Sequence, residues 1–113
     1  MEGGKMIDWS RVQELKTEIG ADDFFDVIDV FLQETDAVVA RLPNLSDPQS
    51  LANDLHFLKG SALNLGFAEL AEICQDGEKL MASGVEEMSA QAILDVYARS
   101  RRAFLGGIGI LAA

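Results

Sequence analysis

Three features of the sequence predict an all-α chain. Apolar residues recur at helical intervals of three and four through successive segments, no segment alternates apolar with polar residues as a strand would, and glycines or turn residues separate the segments. Long helices joined by short turns favour an antiparallel up-and-down four-helix bundle, with a short additional N-terminal helix across one end.

The first helix is expected from about Asp8 to Ile19, with Asp8 as N-cap, Ile7 and Val12 as a hydrophobic staple, and Gly20 as the stop. The second, from about Asp22 to Leu42, carries Phe24, Ile28, Phe31, Thr35, Val38 and Leu42 at alternating spacings of four and three, the pattern of a bundle seam. Pro43 through Ser46 are expected to turn, after which Asp47 as N-cap and Pro48 open a third helix that Gly66 closes. The fourth spans about Phe67 to Ala82 and ends at Ser83-Gly84, with Gly77 on its inner stripe allowing a close approach. The last begins near Glu86 or Ser89, runs to Leu105 and buries Ile93, Tyr97 and Phe104. Residues 1–6 are expected to be flexible. In the tail, residues 106–113, three glycines argue against a long stable helix, and the segment is expected to pack on the bundle end.

Composition bounds the function. A chain of 113 residues with 49% hydrophobic content forms one domain around one core. No apolar stretch approaches the roughly 18 residues that span a bilayer, and no basic region precedes an apolar leader, so the chain is expected to be cytoplasmic and off the membrane. A net charge of −10 argues against nucleic acid, which needs clustered cations, and most acidic surface reads as solvated faces. Arg99, Arg101 and Arg102 suit the negative end of the last helix. Cys74, the single cysteine, lies among Leu70, Ile73 and Gly77 and reads as core filler, and one cysteine with one histidine at this spacing builds no metal site.

His56 is the only histidine. At about 100° per residue, Leu51, Leu55, Leu58, Ala62 and Leu65 share a sector of roughly 80°, the core stripe, and His56 lies about 140° from its centre. Most lone surface histidines are inert, but the neighbours here are unusual: Ala52, Lys59, Gly60 and Leu63 flank the ring at i−4, i+3, i+4 and i+7. A glycine inside a helix costs about 1 kcal/mol relative to alanine, and Gly60 serves no turn. A side chain at 60 would lean back over the imidazole, so glycine leaves the ring open to a large partner. Lys59 puts an ammonium within reach of an anion on that ring. Ser61 reads as a small packing residue, Phe57 as packing against an adjacent helix, and Leu63 as part of an exposed docking patch.

The run His56-Phe57-Leu58-Lys59-Gly60-Ser61-Ala62-Leu63-Asn64-Leu65-Gly66 resembles the H-x-L-K-G-S-A-x-x-x-G signature of histidine-containing phosphotransfer (HPt) domains of bacterial two-component phosphorelays. Leu70, Cys74 and Glu78 resemble the L-x-x-x-C-x-x-x-E spacing of that family's next helix, and Ile7-Asp8 with Phe31-Leu32 resembles its first two, so the likeness covers about residues 6 to 105. Gly77 departs from the family, where leucine is common.

The resemblance implies that His56 accepts a phosphoryl group through Nε2 from a response-regulator receiver aspartate and passes it to another receiver. Lys59 would then offset the added charge, while Gly60, Ala52 and Leu63 would serve access and docking. It implies no cofactor of the chain's own, Mg²⁺ being expected in the receiver, and receiver domains, with a hybrid histidine kinase, as partners; the chain is expected to be a monomer. A neutral imidazole keeps a lone pair on one ring nitrogen, which can attack phosphorus without a dedicated base. The scarcity of acids and hydroxyls beside His56 on its own face should leave a phosphohistidine slow to hydrolyse. No Gly-rich nucleotide loop is present, so no ATP-dependent kinase activity is expected. The alternative is a non-catalytic helical-bundle module that docks on a receiver or histidine kinase and inhibits it.

Overall fold

A computed structural model describes residues 6–45, 47–84 and 89–112. Among them lie five α-helices, α1 (Trp9–Ile19), α2 (Phe24–Arg41), α3 (Pro48–Leu65), α4 (Ala68–Ala82) and α5 (Ala90–Ala112), with a 3-10 turn over Leu42–Asn44, and the described residues contain no strand.

The expected punctuation operates. The Asp8 carboxylate accepts from the Arg11 N–H and Asp47 from the Ser50 N–H, each at 3.3 Å, satisfying first-turn donors that would otherwise lack partners. Gly66 ends α3 at φ +82°, and a Cβ there would lie 2.8 Å from the Asp8 carbonyl oxygen, so only glycine lets the start of α1 rest against the end of α3. The Asp8 N–H donates to the Gly66 carbonyl at 2.7 Å across the same junction. The turn after α2 forms at Leu42–Asn44, while Ser46 and Glu86 lie outside the described residues.

The core collects Phe24, Ile28 and Leu32 of α2, Leu55, Leu58 and Leu65 of α3, Leu70 and Cys74 of α4, and Ile93 and Phe104 of α5. Helix α2 packs on α3 and α5, and α4 packs on α3 and α5, so these four close a ring of contacts around that core, with the α3–α4 pairing the most extensive. Helix α1 packs on α2 and α3. Two charged ties reinforce the ring. Arg41 holds Asp54 through two nitrogens at 2.6 and 2.8 Å, joining α2 to α3. Arg101 holds Asp36 through two nitrogens at 3.0 and 3.1 Å, and the buried Tyr97 hydroxyl donates to the same carboxylate, joining α2 to α5.

The tail corrects an expectation. Helix α5 does not stop at Leu105 but continues through Gly106 and Gly107 to Ala112. Packing overrides the low helix propensity of glycine. The Trp9 indole stacks on Phe104 with ring centroids 6.3 Å apart, and a Cβ on Gly107 would lie 2.0 Å from that indole. Glycine is therefore what lets α1 close on α5, and Ile108 is buried just beyond. Met6, expected within a flexible terminus, is half-buried against the core; residues 1–5 lie outside the described residues. Among the described residues no helix is long and apolar enough to cross a membrane.

Candidate functional site

The caps of α3 and its buried stripe of Leu55, Leu58, Ala62 and Leu65 fix the helix's rotation, and that rotation turns His56 outward. Its side chain is 74% exposed. Residues 54 and 55 on the inner side are buried, Asp54 by its pairing with Arg41.

A carboxylate from the neighbouring helix meets the ring. Glu78 of α4 places Oε2 3.1 Å from His56 Nδ1, while its Oε1 lies 3.0 Å from the Lys59 ammonium. Burial pushes the Glu78 carboxyl up, but Lys59 and His56 on its two oxygens outweigh that and hold it below the ordinary glutamate value. An ionised carboxylate only accepts hydrogen bonds, so Nδ1 carries the proton and donates. In the neutral ring that tautomer leaves the lone pair on Nε2, the other ring nitrogen.

The sequence-predicted residues fall around this centre. Lys59 sits beside His56 as expected, but its ammonium is engaged by Glu78, where the sequence argument left it free for an incoming anion. Gly60 is exposed and an added Cβ would meet nothing within 4 Å, so the helix surface at that position is open. Leu63 is 59% exposed one further turn along. Ala52 lines a groove between α3 and α4 with Glu78 and Met81. Phe57, expected to pack away against a neighbour, is 42% exposed and lines an open groove facing α2, as does Ser61.

Sequence reasoning gave Glu78 no part in the site. The acids it sought were on the histidine's own helix face, and Glu78 comes from α4, 22 positions away. Its signal was its place in the L-x-x-x-C-x-x-x-E spacing, an acid one turn beyond Cys74 to which no role was attached. Cys74 itself is not a second nucleophile: burial, and then the Glu78 charge, push its thiol up to about 12.

The family model described as Hpt domain matches residues 26–103, the part of the chain from the first turn of α2 to within α5. The phosphorelay protein LuxU of Vibrio harveyi is 29% identical over 100 residues, spanning 80% of this chain and 88% of LuxU. No solved structure matches the chain.

Proposed function

The chain belongs to the Hpt domain family, and from that premise we propose that it is a phosphorelay intermediate whose phosphoacceptor is His56. The observation that carries this reading is the exposed ring with Nδ1 on Glu78, which turns Nε2 toward solvent as the nitrogen free to act as nucleophile. The ring of contacts among α2, α3, α4 and α5 is read as an antiparallel four-helix bundle that serves as a rigid mount for that ring.

Nε2 attacks the phosphorus of a receiver's aspartyl phosphate, the N–P bond forms, and the P–O bond to the aspartate breaks with the electron pair leaving on the carboxylate. Throughout, the proton stays on Nδ1. Positive charge builds on the ring during attack, and the Glu78 carboxylate already at Nδ1 offsets it without reorganising. Transfer onward to a second receiver reverses these steps. Mg²⁺ and the acidic pocket belong to the receiver, so this chain contributes a positioned nucleophile and no ATP chemistry. Lys59 exchanges part of its contact with Glu78 for the arriving phosphoryl oxygens, Gly60 keeps the approach clear, and Ala52 and Leu63 border the contact area. The setting is the cytoplasm, where receivers and hybrid kinases are the partners.

Incubation with phosphorylated receiver domains tests this. The wild-type chain should acquire acid-labile, alkali-stable label, and His56→Gln should keep its helical circular dichroism and take none. Label on His56→Gln would refute the assignment, and a wild type that binds receivers without ever accepting phosphate would make the chain a docking module instead.

A further inference from the structure

Helix α3 carries little charge in a strongly acidic chain. Of the 19 acidic residues only Asp54 falls within it, and that carboxylate is buried against Arg41. What it exposes ahead of the reactive ring are two neutral amides, Asn53 about one turn and Gln49 about two turns before His56. Gln49 Nε2 donates to Asn53 Oδ1 at 3.0 Å. That bond leaves the Asn53 NH₂ on the other side of its amide, with no acceptor among the described residues.

Ring geometry directs Nε2 to this side. Lys59 and Asn53 stand three residues either way from His56, about 60° to opposite sides of it. Lys59 is on the α4 side, where Glu78 holds both its ammonium and Nδ1 of the ring. The two nitrogens of an imidazole point away from one another, so Nε2 is directed off α4, toward the edge of α3 that carries Asn53. A helical side chain leans back over the preceding turn, which brings the ring over the turn containing Asn53. Residues three apart on a helix have Cβ atoms about 5–6 Å apart, a gap that an asparagine amide and a phosphoryl oxygen on Nε2 can close from its two ends. Gly60, on the same edge of α3, has no side chain to compete for the group.

We propose that Asn53, oriented by Gln49, donates a hydrogen bond to a phosphoryl oxygen carried on His56 Nε2, so that a neutral amide holds the group on one side and Lys59 on the other. The inference rests on the phosphotransfer reading above and adds to it a residue that stabilises the phosphorylated state without contributing charge. A carboxylate in its place would accept where the phosphoryl oxygens need a donor, and would repel them.

The equilibrium of transfer between a phosphorylated receiver domain and this chain tests it. A contact made only in the complex changes forward and reverse rates together, whereas a contact to the phosphoryl group in the free protein changes their ratio. Asn53→Asp, which keeps the shape, should shift the equilibrium toward the receiver by about tenfold, and Asn53→Ala by about threefold, the scale of one lost hydrogen bond near solvent. The Asn53→Ala shift should persist at high salt, because no charge has been removed for salt to screen. In ³¹P NMR the phosphohistidine of Asn53→Asp should titrate at higher pH than that of wild type, its dianion having lost a donor and gained a like charge. If both variants keep the wild-type equilibrium and rates, the Gln49–Asn53 pair is a helix brace only and the proposal is overturned, although the phosphotransfer reading stands. If both rates fall at an unchanged equilibrium, Asn53 touches the partner and not the phosphoryl group, which overturns it as well. If the wild type takes label neither from a receiver nor from phosphoramidate, a small donor that needs no docking, the phosphotransfer reading fails and the inference falls with it.

Discussion

Two carboxylates in this molecule each hold two partners, and they do opposite things. At the α3–α4 face Glu78 holds His56 and Lys59, and at the α2–α5 face Asp36 holds Tyr97 and Arg101. In the first the carboxylate is the sheltered member, 24% exposed, and the aromatic ring stands out in solvent at 74%. In the second the carboxylate is open at 41%, and it is the aromatic residue that is buried, Tyr97 at 5%. Burying the acid and exposing the ring presents a nucleophile whose free nitrogen is chosen from below. Burying the ring and exposing the acid makes a brace, because the tyrosine is turned into the core and its hydroxyl proton is committed to Asp36. Burial, and then Asp36, push the Tyr97 hydroxyl well above the usual phenol range, which keeps it a donor at any ordinary pH.

Variants on the two sides should therefore separate function from stability. The largest effect beyond loss of His56 itself is expected at Gly60. A Cβ at position 60 meets nothing within 4 Å, so Gly60→Glu should melt within about a degree or two of wild type. The new side chain leans across the ring and adds a like charge to the incoming phosphoryl group, so receiver transfer should fall about a hundredfold, the scale of misplacing reacting groups. Wild-type transfer rates in Gly60→Glu would remove the steric half of the comparison.

A smaller effect is expected at Lys59. Its removal leaves Glu78 to His56 alone, so the ring stays oriented and only the offset of phosphoryl charge is lost. An ion pair near solvent contributes about 0.3–1 kcal/mol, so Lys59→Ala should slow transfer roughly two- to fivefold, and less at high salt. A complete or salt-insensitive defect would mean that Lys59 positions the ring.

On transfer the smallest effect belongs to the brace. Tyr97→Phe removes one hydrogen bond to a partly exposed carboxylate, worth about 1 kcal/mol, or about 4 °C in Tm, with transfer kinetics unchanged. Burial raises the Asp36 carboxyl, but the Arg101 and Tyr97 hydrogen bonds outweigh it and hold it below its ordinary value. A depressed folded pKa stabilises at pH above the unfolded carboxylate value and is lost as pH falls through the folded one. The Tm gap between wild type and Tyr97→Phe should thus be full near neutrality and close in acid, which thermal melts across a pH series would check. A transfer defect in Tyr97→Phe would mean that the two faces are coupled.

What the sequence by itself determined is local. Asp8, Gly20, Asp47 and Gly66 mark helix ends because a cap acts on donors and carbonyls within one turn of it. The outward face of His56, Lys59, Gly60 and Leu63 follows from helical periodicity once Leu55, Leu58, Ala62 and Leu65 are assigned to the core. What only the tertiary structure decided depends on how helices sit against one another. Glu78 reaches His56 because α4 packs on α3, which the periodicity of neither helix alone can register. Phe57 looks into an open groove because α2 leaves space beside it, which periodicity within α3 cannot register. The glycine-rich end of α5 is helical because Trp9, far away in the chain, lies against Gly107 and Phe104, and the apolar surface buried there outweighs a propensity that local reading could only count against the helix.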